Sequence, residues 1–351
     1  MTDITKLMHV LQPHLRWHRA RLFCFAAFVL ALIRVRSVCL SQLASVLNPR
    51  RSDATNYRRL QRFLALFKLD KKELTRLLLA LRDDDSPLTL VMDRTQWEIG
   101  SKSVNLLIVG YLLDGFVVPL RWIGLDKAGA SNEKERIDLL DELLKDLGPI
   151  PIDALVADRE FIGETFFRWM IDRKLRFVIR IRKNARMRHR GKGTIVRAGD
   201  EFAALALGGR RRLREKRVIY GHAVYVVAAR ESDQPWILVT NERPKQALAL
   251  YAKRWAIETT FAAFKRRGFD LESTHVSAPA RLEKMIAVLS VALVWSIRVG
   301  QWRSRSEPIA LKRHGRRAVS VFRHGLDYLR RHLIHYNAQA LIPAFQVLSC
   351  T

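Results

Sequence analysis

Cysteine is scarce: three occur in 351 residues, and Cys24, Cys39 and Cys350 lie far apart with no Cys-x-x-Cys pair. That scarcity excludes a disulfide scaffold, argues against a structural zinc site, and suits a reducing cytoplasm. Acids are scarce too. The chain has 34 Asp and Glu against 62 Lys and Arg, a formal net charge of +28. Long apolar runs are missing. The longest, residues 22–33, is bracketed by Arg19, Arg21, Arg34 and Arg36. As a helix it spans about 18 Å, short of a bilayer core of about 30 Å. It starts too far into the chain to resemble a signal peptide, and reads as a buried helix of a soluble protein. No internal repeat or low-complexity tract is present, which sets solenoids aside.

What is present is a large core under a basic surface. The chain is 49% hydrophobic and 9% aromatic, so it is no disordered basic tail, and its length suits two or three domains. A folded chain this basic faces a polyanion, either nucleic acid or an anionic membrane. The cations are not confined to one amphipathic helix, which makes a membrane the weaker choice.

Residues 1–84 read as a helical DNA-binding domain. Leu7, Val10 and Leu11, then Leu40, Leu43, Ala44 and Leu47, recur at helical steps. Asn48-Pro49 stops a helix, since proline cannot continue it. The next segment interleaves Arg58, Arg59 and Arg62 with Tyr57 and Phe63. As a recognition helix it would set the arginines on phosphates and Tyr57 or Gln61 near base edges; a solvated amphipathic face gives the same pattern. Arg82-Asp-Asp-Asp-Ser-Pro87 breaks the period and reads as a boundary.

Residues 85–183 then read as strand, strand, strand, helix, strand, helix, strand. A short apolar run ends at Asp93, and two strands follow, joined by the hairpin signal Asp114-Gly115. A helix over 134–147 has Ser131 as its expected N-cap and Gly148-Pro149 as its stop. A buried strand over 152–157 ends at Asp158, a helix covers 163–174, and an alternating strand covers 176–182. This is the element order of ribonuclease-H-like nucleases. The fold class expected is therefore α/β: a ribonuclease-H-like mixed-sheet core, interrupted by a β-rich insertion at 184–240 and completed over 241–300. Helices are expected at 301–351. The insertion region is strongly basic, with fifteen Lys and Arg between positions 176 and 217.

Asp93 and Asp158 should end neighbouring strands. Paired carboxylates there suit magnesium or manganese, which prefer hard oxygen ligands, although a strand-end Asp also serves as a turn former. Glu258 supplies a third acid from a helix read over residues 245–267. Two ions about 3.5–4 Å apart stabilise the attacking and leaving oxygens of a phosphodiester. Steps of three, four and seven residues put Tyr251, Arg254, Glu258 and Lys265 on one stripe, with Trp255, Ile257, Phe261 and Phe264 on the other. A surface ion-pair ladder produces the same Arg254–Glu258 spacing.

Tyr251-x2-Arg254-x3-Glu258-x6-Lys265 resembles the signature of DDE insertion-sequence transposases of the cut-and-paste type. Val91-Met-Asp93-Arg-Thr-Gln-Trp97 and Val156-Ala-Asp158-Arg-Glu-Phe161 resemble the segments around that family's first two acids, and residues 312–326 resemble a C-terminal family segment. The likeness covers about residues 85–330. It implies a catalytic and metal triad of Asp93, Asp158 and Glu258 with two Mg2+ ions, Mn2+ substituting. It implies that Tyr251, Arg254 and Lys265 contact transposon-end DNA. It also implies that Trp236, before the signature helix, stacks a base flipped out beside the cut; a core residue at a strand start is the plainer account of Trp236. The partners implied are terminal inverted repeats and target DNA, bound by a homodimer, in a bacterial cytoplasm at the nucleoid. A ribonuclease-H-like nuclease or resolvase without strand transfer, and an inactive DNA-binding derivative, share these features.

Overall fold

A computed structural model of the chain describes residues 2–99, 102–125, 127–189, 193–274 and 276–349; Cys350 lies outside them. Five helices come first: α1 (Asp3–Leu11), α2 (Arg19–Val35), α3 (Leu40–Leu47), α4 (Asp53–Leu66) and α5 (Lys71–Ala80). The side chains of Thr2, Ser52 and Asp70 accept from the first free backbone N–H groups of α1, α4 and α5, which fixes where each helix starts. The apolar run sits in α2, and every residue from 24 to 33 is buried. Among the described residues no single helix is long and apolar enough to cross a membrane; α2 and α3 together would be, but they are bent by 109°.

A three-stranded meander follows: β1 (Leu88–Ile99), β2 (Lys102–Leu113) and β3 (Phe116–Leu125). Strand β1 was expected to stop at Asp93, yet it continues six residues further, leaving Asp93 in mid-strand. The reason lies in the sequence after it. Thr95, Trp97 and Ile99 are buried while Gln96 and Glu98 are exposed, so the two-residue alternation of a strand persists to Ile99. Asp114 and Gly115 both take positive φ, 45° and 80°, as the tight hairpin turn requires. Helix α6 (Glu133–Leu147) is capped by Asn132 rather than Ser131; Asn132 and Glu135 form a reciprocal capping box. Ser131 is instead buried and accepts from Arg136.

Strand β4 (Ile152–Ala157), helix α7 (Glu164–Asp172) and strand β5 (Phe177–Arg180) complete this half. The strand order is β3-β2-β1-β4-β5, antiparallel among the first three and parallel from β1 through β4 to β5. Next come β6 (Arg186–His189), β7 (Ile195–Arg197), the short α8 (Ala198–Glu201), β8 (Arg210–Arg212), β9 (Arg217–Ile219), β10 (His222–Ala229) and β11 (Trp236–Thr240). Strand β11 pairs antiparallel with β5. The β-rich segment therefore extends the same sheet through β11, β10, β9, β6 and β7.

The helix expected over 245–267 is broken. A 3-10 turn at Pro244–Gln246 leads into α9 (Ala247–Ala252), another at Lys253–Trp255 separates it from α10 (Ala256–Phe264), and Lys265 leaves helical geometry with ψ −145°. Three residues per turn instead of 3.6 rotate later positions by about 60° per such turn. Trp255, expected on the apolar stripe, is consequently 64% exposed. The chain closes with α11 (Pro279–Ser306), α12 (Val321–Ile334) and α13 (Ala338–Ser349). From Met285 to Gly300 helix α11 is buried on all sides, with β3, α2 and α12 packed around it. Each large apolar side chain wholly enclosed there, such as Trp295, contributes about 1.5–3 kcal/mol.

Candidate active site

Parallel pairing of β1 with β4 sets Met92 opposite Ala157. The next residues, Asp93 within β1 and Asp158 just past the end of β4, therefore lie side by side at the same level. Helices α9 and α10 cross beside them, held in part by Thr260, whose hydroxyl accepts from the Val117 N–H of β3 and donates to its C=O. Tyr251, the last buried residue before the 3-10 turn, donates its hydroxyl to Asp158 Oδ1 at 2.9 Å. Arg254 sits within that turn and uses both ends of its guanidinium. Nη1 donates to Asp93 Oδ2 at 3.0 Å and Nη2 to Glu258 Oε1 at 2.8 Å. Five of the residues singled out in the sequence thus form two hydrogen-bonded groups side by side, Tyr251 with Asp158 and Arg254 between Asp93 and Glu258, with the Arg254 guanidinium 5.8 Å from the Tyr251 ring centre.

The electrostatics follow from burial. Burial pushes the Asp93 carboxyl up to about 6, against the pull of Arg254 and the Arg94 N–H; the charges of Asp158 and Glu160 raise it further. The Tyr251 phenol is also held far above its usual range, by burial and by the neighbouring Asp158. Burial opposes the charge of Arg254, but Tyr251, Asp93 and Glu258 outweigh it, so the guanidinium stays protonated.

Lys265 is part of neither group. Because the helix has ended, its ammonium pairs with Glu272 at 3.0 Å. Trp236 opens β11 half-buried, its ring edge-to-face with Tyr251 at 5.7 Å. The three arginines of α4 differ. Arg58 and Arg62 are exposed, while Arg59 lies over the Phe23 ring at 4.8 Å. Tyr57 and Gln61 face a cavity of about 260 Å³ shared with Cys39 and Arg281, rather than open solvent alone.

Sequence reasoning passed over Arg94 and Glu160. Arg94 Nε donates to Glu160 at 3.2 Å and Nη1 to Asn105 Oδ1 at 3.1 Å. This pair ties β1 to the loop carrying Asp158. Its signal was available, since Arg94 follows Asp93 directly and Glu160 stands two positions after Asp158.

The donor chemistry suits a divalent cation. Three carboxylates offer hard oxygen atoms, and a half-buried Asp93 with a raised carboxyl would gain from a nearby positive charge. Among the described residues, however, no three acids converge tightly enough to form a ready-made metal cluster. The charge between Asp93 and Glu258 is that of Arg254.

A family model described as "Transposase DDE domain" matches residues 85–295, more than half of the chain. Among solved structures, the chain is similar to the cryo-EM structure of a piggyBac transposase synaptic complex with hairpin DNA. That similarity has 11% identity and a TM-score of 0.47, over 98% of this chain and 81% of that one. No curated protein matches the chain.

Proposed function

The chain belongs to the transposase DDE-domain family, and from that premise we propose that it is an insertion-sequence transposase of the cut-and-paste type. Its substrate is double-stranded DNA: the terminal inverted repeats of its own element, then a target. The strand order β3-β2-β1-β4-β5 supports a ribonuclease-H-like core. The observation that carries the proposal is the register of Asp93 with Asp158, and Glu258 joined to Asp93 through one guanidinium.

Asp93, Asp158 and Glu258 would hold the divalent metal, Mg2+ or Mn2+ and two ions in this reading. When bound, it activates the attacking oxygen and stabilises the leaving oxygen of a phosphodiester. The protein's own groups do the rest. The Tyr251 hydroxyl fixes the rotamer of Asp158. Arg94 with Glu160 fixes the loop that follows it. Arg254, exchanging a carboxylate for a phosphate oxygen, would orient the scissile group by a bidentate contact. Arg58 and Arg62, both exposed on α4, serve end recognition, and two copies of the chain pair two ends.

Nicking of a duplex carrying the element's terminal repeat tests the proposal. Asp158→Ala should abolish Mg2+-dependent nicking while DNA binding persists, and full nicking by that variant would remove Asp158 from the site. Strand joining is read by adding a target plasmid; cleavage without integration products would favour a nuclease or resolvase.

The hairpin route rests on Trp236, an aromatic at the rim beside Tyr251. An aromatic surface offsets the few kcal/mol lost when a base leaves the stack. Trp236→Ala should slow hairpin formation more than first-strand nicking. Equal slowing of both steps would assign Trp236 to packing.

A further inference from the structure

Between α11 and α12 the chain projects a small basic hairpin. Leu311 and Arg317 form an antiparallel bridge, the Lys312 N–H donates to the Arg316 C=O at 2.8 Å, and the Gly315 N–H donates to the Lys312 C=O at 2.8 Å. Gly315 closes the turn at φ 77°, where an added Cβ would meet nothing within 4 Å. Every residue from 311 to 320 is exposed. The turn reads Lys312-Arg-His-Gly-Arg-Arg317, and among the described residues Lys312, Arg313 and Arg316 have no acidic partner. A preformed backbone thus displays three uncompensated cations, with little ordering entropy left to lose on binding an anion.

The arm is also fixed in place. Arg317 pairs with Asp114 at 3.6 Å, at the turn between β2 and β3. Asp93 faces Ile108 across the β1–β2 ladder, and Asp114 lies six residues further along that strand. At about 3.4 Å per residue, the arm's anchor is about 20 Å from the level of Asp93, the rise of about six base pairs. From Asp114 a cleft of about 610 Å³ reaches Lys253 and Trp255, the neighbours of Arg254 in sequence. Lys253 and Trp255 are exposed there, whereas the cleft's two acids are already paired, Asp84 with Arg82 and Asp114 with Arg317. The cleft beside the arm's anchor therefore presents one cation, Lys253, and one aromatic face, Trp255.

We propose that the hairpin at residues 311–317 is a DNA-backbone clamp, gripping the duplex about six base pairs from the bond being cut and reading phosphate rather than sequence. This rests on the transposase reading given above. The turn, Lys-Arg-His-Gly-Arg-Arg, holds no Phe, Tyr, Trp, Asn or Gln, and its cations suit phosphate oxygens.

The combined variant Lys312→Ala, Arg313→Ala, Arg316→Ala tests it, since these exposed side chains leave the fold intact, as a thermal melt would verify. Binding of a fluorescent duplex of arbitrary sequence is followed by anisotropy over a salt series. Each lost phosphate contact lowers the salt slope by about 0.9. The triple variant should therefore lose about two to three from the slope, equally for unrelated duplexes, and bind at least about tenfold more weakly at moderate salt. An unchanged slope and affinity would overturn the clamp while leaving the transposase reading standing. A wild-type chain that binds no duplex at any salt would overturn both. Loss of binding to phosphatidylserine vesicles, with DNA binding intact, would reassign the arm to a membrane and overturn the clamp. On terminal-repeat DNA, hydroxyl-radical protection should vanish about six base pairs from the nick; loss elsewhere would overturn the placement.

Discussion

Arg254 holds Asp93 and Glu258 at once, and its removal would strand a half-buried carboxylate. Breaking such a pair leaves one charge uncompensated, which costs more than the pair itself contributes. Arg254→Ala should lower unfolding free energy by about 2–3 kcal/mol, toward the lower end for buried pairs because Glu258 reaches solvent. Adding Asp93→Asn should restore part of that loss, since the stranded charge is gone. Urea denaturation of both single variants and the double reads the coupling; a double variant as unstable as the sum of the singles would mean the contact carries none of it. At this scale much of the site was legible. Acids after apolar runs, and a Tyr, Arg and Glu spaced three and four apart, pointed to one another across more than 150 residues. Lys265 was misplaced for a local reason. Spacing arithmetic assumes an unbroken helix, and the backbone leaves helical geometry at that residue.

Elements were legible where periodicity was long and less so at their ends and joints. The hairpin at Asp114-Gly115 and the strand over Ile152–Ala157 were readable from turn chemistry and apolar runs. The 3-10 turn at Lys253–Trp255 was not, because nothing in Lys-Arg-Trp forbids an α-helix; tertiary packing of Tyr251 and Ile257 on the sheet sets the rotation. Close packing of α11 on α12 was equally silent in the sequence. Gly300 and Gly325 meet there, and a Cβ on Gly325 would collide with the Ser296 C=O and the Gly300 backbone. Neither obstacle is a flexible side-chain end, so the helices would have to separate. Gly325→Ala should destabilise the chain by about 1–3 kcal/mol or more. A lowered melting temperature, with earlier proteolysis between α11 and α12, checks this; an unchanged melt would show that the two helices tolerate separation.

For the whole molecule, charge and sheet belong together. The fold distributes the excess of cations. Some arginines are structural: Arg121 pairs with Asp146 and Arg298 with Asp83 in partly buried contacts. Others, including Arg58, Arg62, Lys312, Arg313 and Arg316, are exposed on the surface. The domain boundaries drawn from composition did not anticipate how the basic β-rich segment joins the rest, because hydrogen bonding between distant strands leaves no mark on local periodicity.

That junction has a mechanical meaning. Since β11 is laddered to β5, and β5 to β4, the strand that starts at Trp236 is two hydrogen-bonded neighbours away from the strand that ends beside Asp158. A lobe hung on a linker could swing toward bound DNA by itself; a sheet extension transmits any tilt as shear through β5. Force applied at the far edge is thereby felt beside Asp158, as in a stiff leaf spring clamped at one end. Amide exchange should accordingly show β4, β5 and β11 opening together with similar protection. Early, separate exchange of β11 would reveal a hinge where the ladder gives continuity.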